Sequence, residues 1–244
     1  MLELVLPQRC VVCGSGRVQL CADCRLALPR LRGPHCERCG GPTAWPVRRC
    51  RECARRRLAF AHARAAVAYD DRVRALVAAW KERGLRRLVP LVAELVAESL
   101  PPPCLPLTFV PADPDRALQR GHRPAAALAG ELALIWGTER LDLLTRRVGR
   151  RQRGLPLAER RANVREAFQA QASPARIVLV DDVYTSGSTV DAAARALRKA
   201  GAKRVDVVTF ARAVRGYYSE YSSLTDAQGG RIATSDEGQE RRGH

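Results

Sequence analysis

The run Arg176-Ile-Val-Leu-Val-Asp-Asp-Val-Tyr-Thr-Ser-Gly-Ser-Thr189 constrains the fold more than any other part of the chain. Ile177, Val178, Leu179 and Val180 are apolar and mostly β-branched, which suits a strand buried on both faces of a parallel sheet. Asp181 and Asp182 are expected to close that strand at its carboxyl end, the end that faces the ligand crevice in open α/β sheets. A turn of small hydroxylated residues comes next: Thr185, Ser186, Ser188 and Thr189 around Gly187. The pattern then predicts a helix from Val190 to Ala200, stopped by Gly201 at a typical C′ position. A second strand is expected over Val205–Phe210.

This order of residues suits an anionic ligand. The first N–H groups of a helix have no partner within it and, with the helix dipole, bind phosphate. Hydroxyls add donors, and Gly187 lets the backbone come close. Two adjacent carboxylates suit sugar hydroxyls or a magnesium ion. A buried strand with an ordinary capped turn would explain the apolar run and the small residues, but not the paired acids. GxGxxG and Walker A patterns are absent, which argues against dinucleotide and P-loop nucleotide sites.

Eight of the nine cysteines fall in four CxxC pairs before residue 60: Cys10/Cys13, Cys21/Cys24, Cys36/Cys39 and Cys50/Cys53. One knuckle presents two thiolates, and two knuckles complete a tetrahedral S₄ zinc site. Four pairs make two structural zinc sites. Sequential pairing is simplest, with Cys10, Cys13, Cys21 and Cys24 on one ion and Cys36, Cys39, Cys50 and Cys53 on the other. An interleaved pairing stays open. Gly14, Gly40 and Gly41 sit where knuckles need positive φ. So little apolar sequence here means that the module folds with its metal. Cys104, outside any pair, reads as a small buried hydrophobe.

The chain has 244 residues and a formal charge of +17. That length allows one main domain and a smaller module. Lys occurs only at 81, 199 and 203, so nearly all 42 cations are Arg. The charge favours acidic partners, although abundant Arg and Ala also suit a GC-rich genome. No apolar run reaches the length of a membrane span, and no secretory h-region opens the chain. The expected location is cytoplasmic, where CxxC pairs are metal ligands rather than disulfides.

Along the chain, Arg55–Arg57 reads as a solvated basic linker. A strand is expected over Ala63–Tyr69. A helix capped by Asp70 or Asp71 should run to about Arg83 and end at Gly84. Lys81, in its last turn, suits either a phosphate or the helix dipole. A second helix covers Leu88–Leu100, and a strand covers Leu107–Pro111. A loop over Pro111–Pro124 carries Arg120, Gly121, His122 and Arg123, with His122 read as a surface histidine, and a helix then runs to about Trp136. Between Arg146 and Arg165 stand eight Arg and one Glu, with Gly149 and Gly154 loosening the first part. That composition suits a flexible loop closing over an anion and excluding water. Residues 216–244, rich in Ser, Gly, Thr and Gln, read as a disordered tail.

The segment Val-Leu-Val-Asp-Asp-Val-Tyr-Thr-Ser-Gly-Ser-Thr resembles the PRPP-binding motif of type I phosphoribosyltransferases. The chain to about Arg215 resembles the ComF/GntX family, implicated in bacterial competence. Trp80-Lys81-Glu82-Arg83-Gly84 is similar to that family's Lys-x-x-Gly segment. Gln152 with Arg160, Asn163, Ala167 and Phe168 matches its Gln and Arg-x-x-Asn-x-x-x-Ala-Phe elements. Where relatives read Arg-Gly-Phe-Asn-Gln, this chain reads Arg120-Gly121-His122-Arg123-Pro124 and keeps only the Arg-Gly.

The resemblance implies a type I phosphoribosyltransferase-like parallel sheet flanked by helices (58–215), preceded by a double zinc ribbon (1–57). Thr185–Thr189 would cradle a 5′-phosphate. Asp181 and Asp182, as catalytic residues, would hold ribose hydroxyls and magnesium. Lys81, Arg120 and Gly121 would meet pyrophosphate, and Arg146, Gln152, Arg160 and Asn163 would belong to the closing loop. The implied partners are PRPP or another phosphorylated ribose, single-stranded DNA and other competence proteins. The implied role is handling imported single-stranded DNA. Nucleobase salvage and a non-catalytic DNA-binding adaptor are the alternatives.

Overall fold

The computed structural model describes residues 9–146 and 167–214. The loop residues Gln152, Arg160 and Asn163, with Gly149 and Gly154, lie outside the described residues, as does the tail 216–244. Four strands, β1 (His62–Ala68), β2 (Leu107–Phe109), β5 (Arg176–Tyr184) and β6 (Arg204–Arg212), form a parallel sheet in the order β1-β6-β5-β2. A small antiparallel ribbon pairs β3 (Leu144–Arg146) with β4 (Phe168–Ala170). The helices are α1 (Ala22–Leu26), α2 (Asp71–Val77), α3 (Leu88–Ser99), α4 (Pro114–Arg120), α5 (Pro124–Trp136) and α6 (Ser188–Lys199).

β5 shows why its apolar run has no polar alternation. Successive side chains point to opposite faces of a sheet. Val178 and Val180 enter a core with α2, α3 and α5, while Ile177 and Leu179 enter a second core with α6. Both faces are therefore covered, as in other parallel sheets. The cysteine-rich region divides between the same two cores. Cys10, Leu20 and Leu28 join the α2/α3/α5 side. Cys36, Cys39, Cys53, Leu58 and Phe60 join the α6 side. The segment between the two knuckle pairs runs beside the outer edge of β1. There Leu31 N donates to Ala66 O (3.0 Å) and Ala68 N to Pro29 O (2.8 Å), which protects an otherwise open edge.

Asp70 is the helix cap: its carboxylate accepts from Val73 N at 2.8 Å. The predicted helix does not run on as α-helix. A π-turn, Ala78–Glu82, comes after α2, ends at Arg83, and is closed by Gly84 at φ 69°. A π-turn inserts an extra residue and so rotates the side chains beyond it about the helix axis. Trp80 is fully buried there, edge-on to Phe210 at 6.4 Å between ring centroids. Truncating such a side chain costs about 3–5 kcal/mol.

Other expectations need correction. β5 does not end at the carboxylates but runs on to Tyr184. Its ladder with β6 continues through Asp181↔Thr209 to Tyr184↔Arg212, because Val183 and Tyr184 still find parallel partners. The Pro111–Pro124 loop contains the helix α4, with a proline at its first position. Cys104 is exposed, at φ 49°, rather than buried, because it comes after three prolines at the surface. Gly14 and Gly40 have positive φ as expected, but Gly41 does not. At Gly41 a Cβ would come within 3.0 Å of the Arg212 guanidinium, so that glycine makes room rather than a turn.

Candidate functional site

The two cysteine quartets form as sequential pairs. The ligand atoms of Cys10, Cys13, Cys21 and Cys24 lie within 4.8 Å of one another, and so do those of Cys36, Cys39, Cys50 and Cys53. A tetrahedron with Zn–S arms of about 2.3 Å has edges of about 3.8 Å. The Sγ separations fit: 3.8 Å for Cys13–Cys21, 3.5 Å for Cys36–Cys53 and for Cys39–Cys50, and 3.8 Å for Cys50–Cys53. Each quartet also opens on a knuckle with the same backbone bond, Gly14 N to Cys10 O and Gly40 N to Cys36 O, both 2.8 Å.

Burial alone would raise the Cys10 thiol, but backbone N–H groups of Cys13, Cys21 and Val12 bring it down to about 6. Cys36 is likewise opposed by burial and brought to about 7 by the N–H groups of Cys39 and Cys50. Backbone donors aimed at these two sulfurs favour the thiolate that zinc requires, whereas burial and the neighbouring thiols push Cys24, Cys39 and Cys53 up. These are two structural Cys₄ zinc sites.

The carboxyl end of β5 collects the second set of groups. Asp181 and Asp182 each turn back to accept from the next residue's N–H, at 2.9 and 2.7 Å. The π-turn brings Lys81 Nζ to 2.5 Å from the buried Asp182 carboxylate. Lys81 thus stands beside the carboxylates, which is neither of the two roles read from the sequence. Asp181 is pushed up to about 8, first by loss of water and then by the neighbouring Asp182 charge, against the pull of Lys81 and Arg146. Arg146, on β3, stands 3.8 Å from Asp113 and over the Phe168 ring. Among the described residues, only the cysteine quartets gather three or more ligand atoms this closely. Two carboxylates suit magnesium only when a substrate supplies further oxygens, which is how this ion is commonly held.

Thr185, Ser186, Ser188 and Thr189 are exposed, with Ser186 Oγ and Ser188 Oγ 2.9 Å apart. Gly187 is the N-cap of α6, buried, at φ 73° and with no side-chain cap. A Cβ there would overlap the Tyr184 phenol ring beneath it. The N-cap residue thus offers no side chain to the α6 N-terminus, where Ser188 N is 3.4 Å from Ser186 Oγ. Arg120 forks onto Glu82 at 2.6–3.0 Å, and Arg86 donates to Gly121 O. His122 is half-buried rather than on the surface, its ring nitrogens 2.9 Å from Trp80 O and 3.1 Å from Arg120 O. Trp80, Lys81 and Glu82 therefore tie three consecutive π-turn positions to His122, Asp182 and Arg120. Arg120 and Gly121 come near the site through this turn rather than by direct contact with Asp181 or Asp182.

Three contributors escaped the reading of the sequence. Arg56 is not solvated linker: its Nη1 donates to Ser186 O at 2.6 Å. Nearby, Ala59 N donates to Asp191 (2.6 Å), and Arg195 holds both Asp191 and Arg57 O. Arg212 is 3% exposed and lies over Tyr184 at 4.5 Å. Tyr184 itself supports Gly187. The only sequence signal was the basic cluster just after Cys53.

Residues 1–56 match the Double zinc ribbon domain family, and residues 118–229 match the Phosphoribosyl transferase domain family. Competence protein F of Haemophilus influenzae is 27% identical over 227 residues, covering 84% of this chain and 97% of its own. Competence protein ComFC of Streptococcus pneumoniae is 29% identical over 197 residues, covering 78% and 86%. Among solved structures, orotate phosphoribosyltransferase from Aeropyrum pernix overlaps at a TM-score of 0.34 and 18% identity, covering 68% of this chain and 87% of that one. No helix among the described residues is long and apolar enough to cross a membrane. Residues 1–56 and 118–229 thus match a double zinc ribbon and a phosphoribosyl transferase domain, and most of the chain is similar to two competence proteins, in keeping with its resemblance to the ComF/GntX family.

Proposed function

We propose that the protein binds PRPP or another 5′-phosphorylated ribose at the carboxyl end of β5. The observation that supports this is the Lys81–Asp182 pair beside Asp181, succeeded directly by an uncapped helix start with exposed hydroxyls. In this reading the N–H groups of α6 and the hydroxyls of Thr185, Ser186, Ser188 and Thr189 take the 5′-phosphate. Asp181 and Asp182 would take ribose hydroxyls and hold a magnesium ion, which would offset pyrophosphate charge together with Lys81 and Arg146. Arg120 and Gly121 line the pyrophosphate side. As an enzyme, the protein would transfer ribose 5-phosphate and release pyrophosphate. Its role is handling single-stranded DNA imported during competence, with a charge of +17 supplying largely non-specific affinity.

A non-catalytic DNA-binding adaptor is the second reading, favoured by the Arg120 fork being taken up by Glu82. Nucleobase salvage fits less well, because it needs neither the zinc ribbons nor the altered Arg120–Pro124 segment.

Calorimetric titration with PRPP, with and without magnesium, tests the site. Magnesium-dependent heats are expected for PRPP, and weaker magnesium dependence for ribose 5-phosphate. Absent heats with magnesium present overturn the reading.

A further inference from the structure

The second cysteine quartet touches the phosphate loop from two sides. On one side, the turn that begins at Cys53 carries Arg56: Arg56 N donates to Cys53 O at 3.1 Å, and its side chain donates to Ser186 O at 2.6 Å. On the other side, Arg212 donates to Cys39 O and lies 3.5 Å from Cys39 Sγ. Its guanidinium stacks on Tyr184, and the Tyr184 ring is the surface against which Gly187 turns.

We propose that this ribbon is a working part of the phosphate cradle: zinc bound at Cys36, Cys39, Cys50 and Cys53 sets the loop's affinity for a 5′-phosphate through Arg56 and Arg212. The inference rests on the loop binding such a phosphate, and adds which residues hold it in shape.

Ser186 has no helix to fix its carbonyl, so the Arg56 bond is what orients that peptide. The Arg56 charge then stands beside the loop, where a phosphate is attracted to it. Arg212 is almost fully buried, its Nε has no partner, and its nearest carboxylate is the half-exposed Glu52 at 3.4 Å. A buried cation is costly without an opposing charge. A zinc ion with four thiolates carries two net negative charges at this spot, which keeps Arg212, and with it Tyr184, in place. Arg56 and Arg212 are thus positioning residues, and Arg56 also faces the ligand electrostatically. Binding linkage is reciprocal, so a phosphate on the loop must also stabilise the zinc of this quartet.

The test uses the full chain with both zinc ions and ribose 5-phosphate as probe. Calorimetry should show Arg56→Met binding at least tenfold more weakly than wild type, with Arg56→Lys recovering part of the loss. Zinc release to a chromogenic chelator should show two phases, with ribose 5-phosphate slowing one of them at least fivefold. That phase should persist in Cys13→Ser, which removes the other site, and should lose its ligand dependence in Arg56→Met. Wild type that binds ribose 5-phosphate without slowing either phase, or Arg56→Met that binds within twofold of wild type, overturns the inference alone. Wild type that does not bind ribose 5-phosphate overturns the phosphate site and the inference together.

Discussion

Lys81, at the end of a π-turn, and Asp182, on the central strand β5, are paired at 2.5 Å. Neither would reach the other from an uninterrupted α-helix in the same register, since the extra residue of the π-turn changes the direction of the side chain. Removing one partner of a shielded pair leaves the other charge unmatched. Lys81→Met should therefore lower stability by about 2 kcal/mol, discounted from the fully buried case because Lys81 is 28% exposed. It should also weaken PRPP at least tenfold. Thermal melts and calorimetry of the same sample check both.

Asp181 gives a pH dependence of defined sign. Its folded value, about 8, lies above the ordinary value of about 4. Between those pH values the folded chain keeps a proton that the unfolded chain has lost. This group's contribution to stability is then complete below pH 4 and is lost as the pH rises towards 8. Asp181→Asn removes that titration. The variant should be more stable than wild type at pH 8, by on the order of 1 kcal/mol, and no more stable than wild type at pH 4.5. A gain at pH 4.5 as large as that at pH 8 would contradict this.

Gly187→Ala should be poorly tolerated for two independent reasons. The position has φ 73°, and a Cβ would overlap the Tyr184 ring. A left-handed non-glycine costs about 1–3 kcal/mol before any clash. The expected result is a melting temperature several degrees lower and loss of binding for PRPP and ribose 5-phosphate alike. Tyr184→Phe in the same chain should not restore it, because ring carbons as well as the hydroxyl stand in the way.

Metal analysis should return two zinc ions per chain, and Cys10→Ser should return one. Because Cys36, Cys39 and Cys53 belong to the core beneath α6, chelation should cost more than the ribbon itself. Far-UV circular dichroism should show loss of the α/β signal along with the metal. A chelated chain that keeps its full melting transition would contradict this.

Acid stability should depend on Glu98. Burial raises this carboxyl, but the guanidiniums of Arg25 and Arg30 outweigh it and bring it below its ordinary value. That contribution is present above about pH 4.3 and is lost as the pH falls further. Glu98→Gln should narrow the gap in stability between pH 7 and pH 3, measured by urea unfolding.

The residues that declare themselves by pattern were legible in the sequence. An unbroken apolar run must be covered on both faces, so Ile177–Val180 implied a parallel sheet before any helix was placed. Four CxxC pairs implied two S₄ sites, because each knuckle is closed by local backbone geometry. A cap at Asp70 or Asp71, and Gly84 as a stop, could be read from short-range hydrogen bonding and φ preference in the same way.

The hidden features depend on contacts between distant segments. The π-turn leaves no composition signal, yet it decides that Lys81 meets Asp182 and that Glu82 meets Arg120. Arg56 looked like solvated linker, and Arg212 lay beyond the strand expected over Val205–Phe210. Sequential pairing of the cysteines, and the placing of one quartet on each face of the sheet, were likewise settled by packing. The amino-acid sequence determined which groups are present and the local shape around each of them, because those depend on neighbours a few residues away. Only the tertiary structure decided which charges face one another, because burial in a shared core fixes those distances and no local rule does.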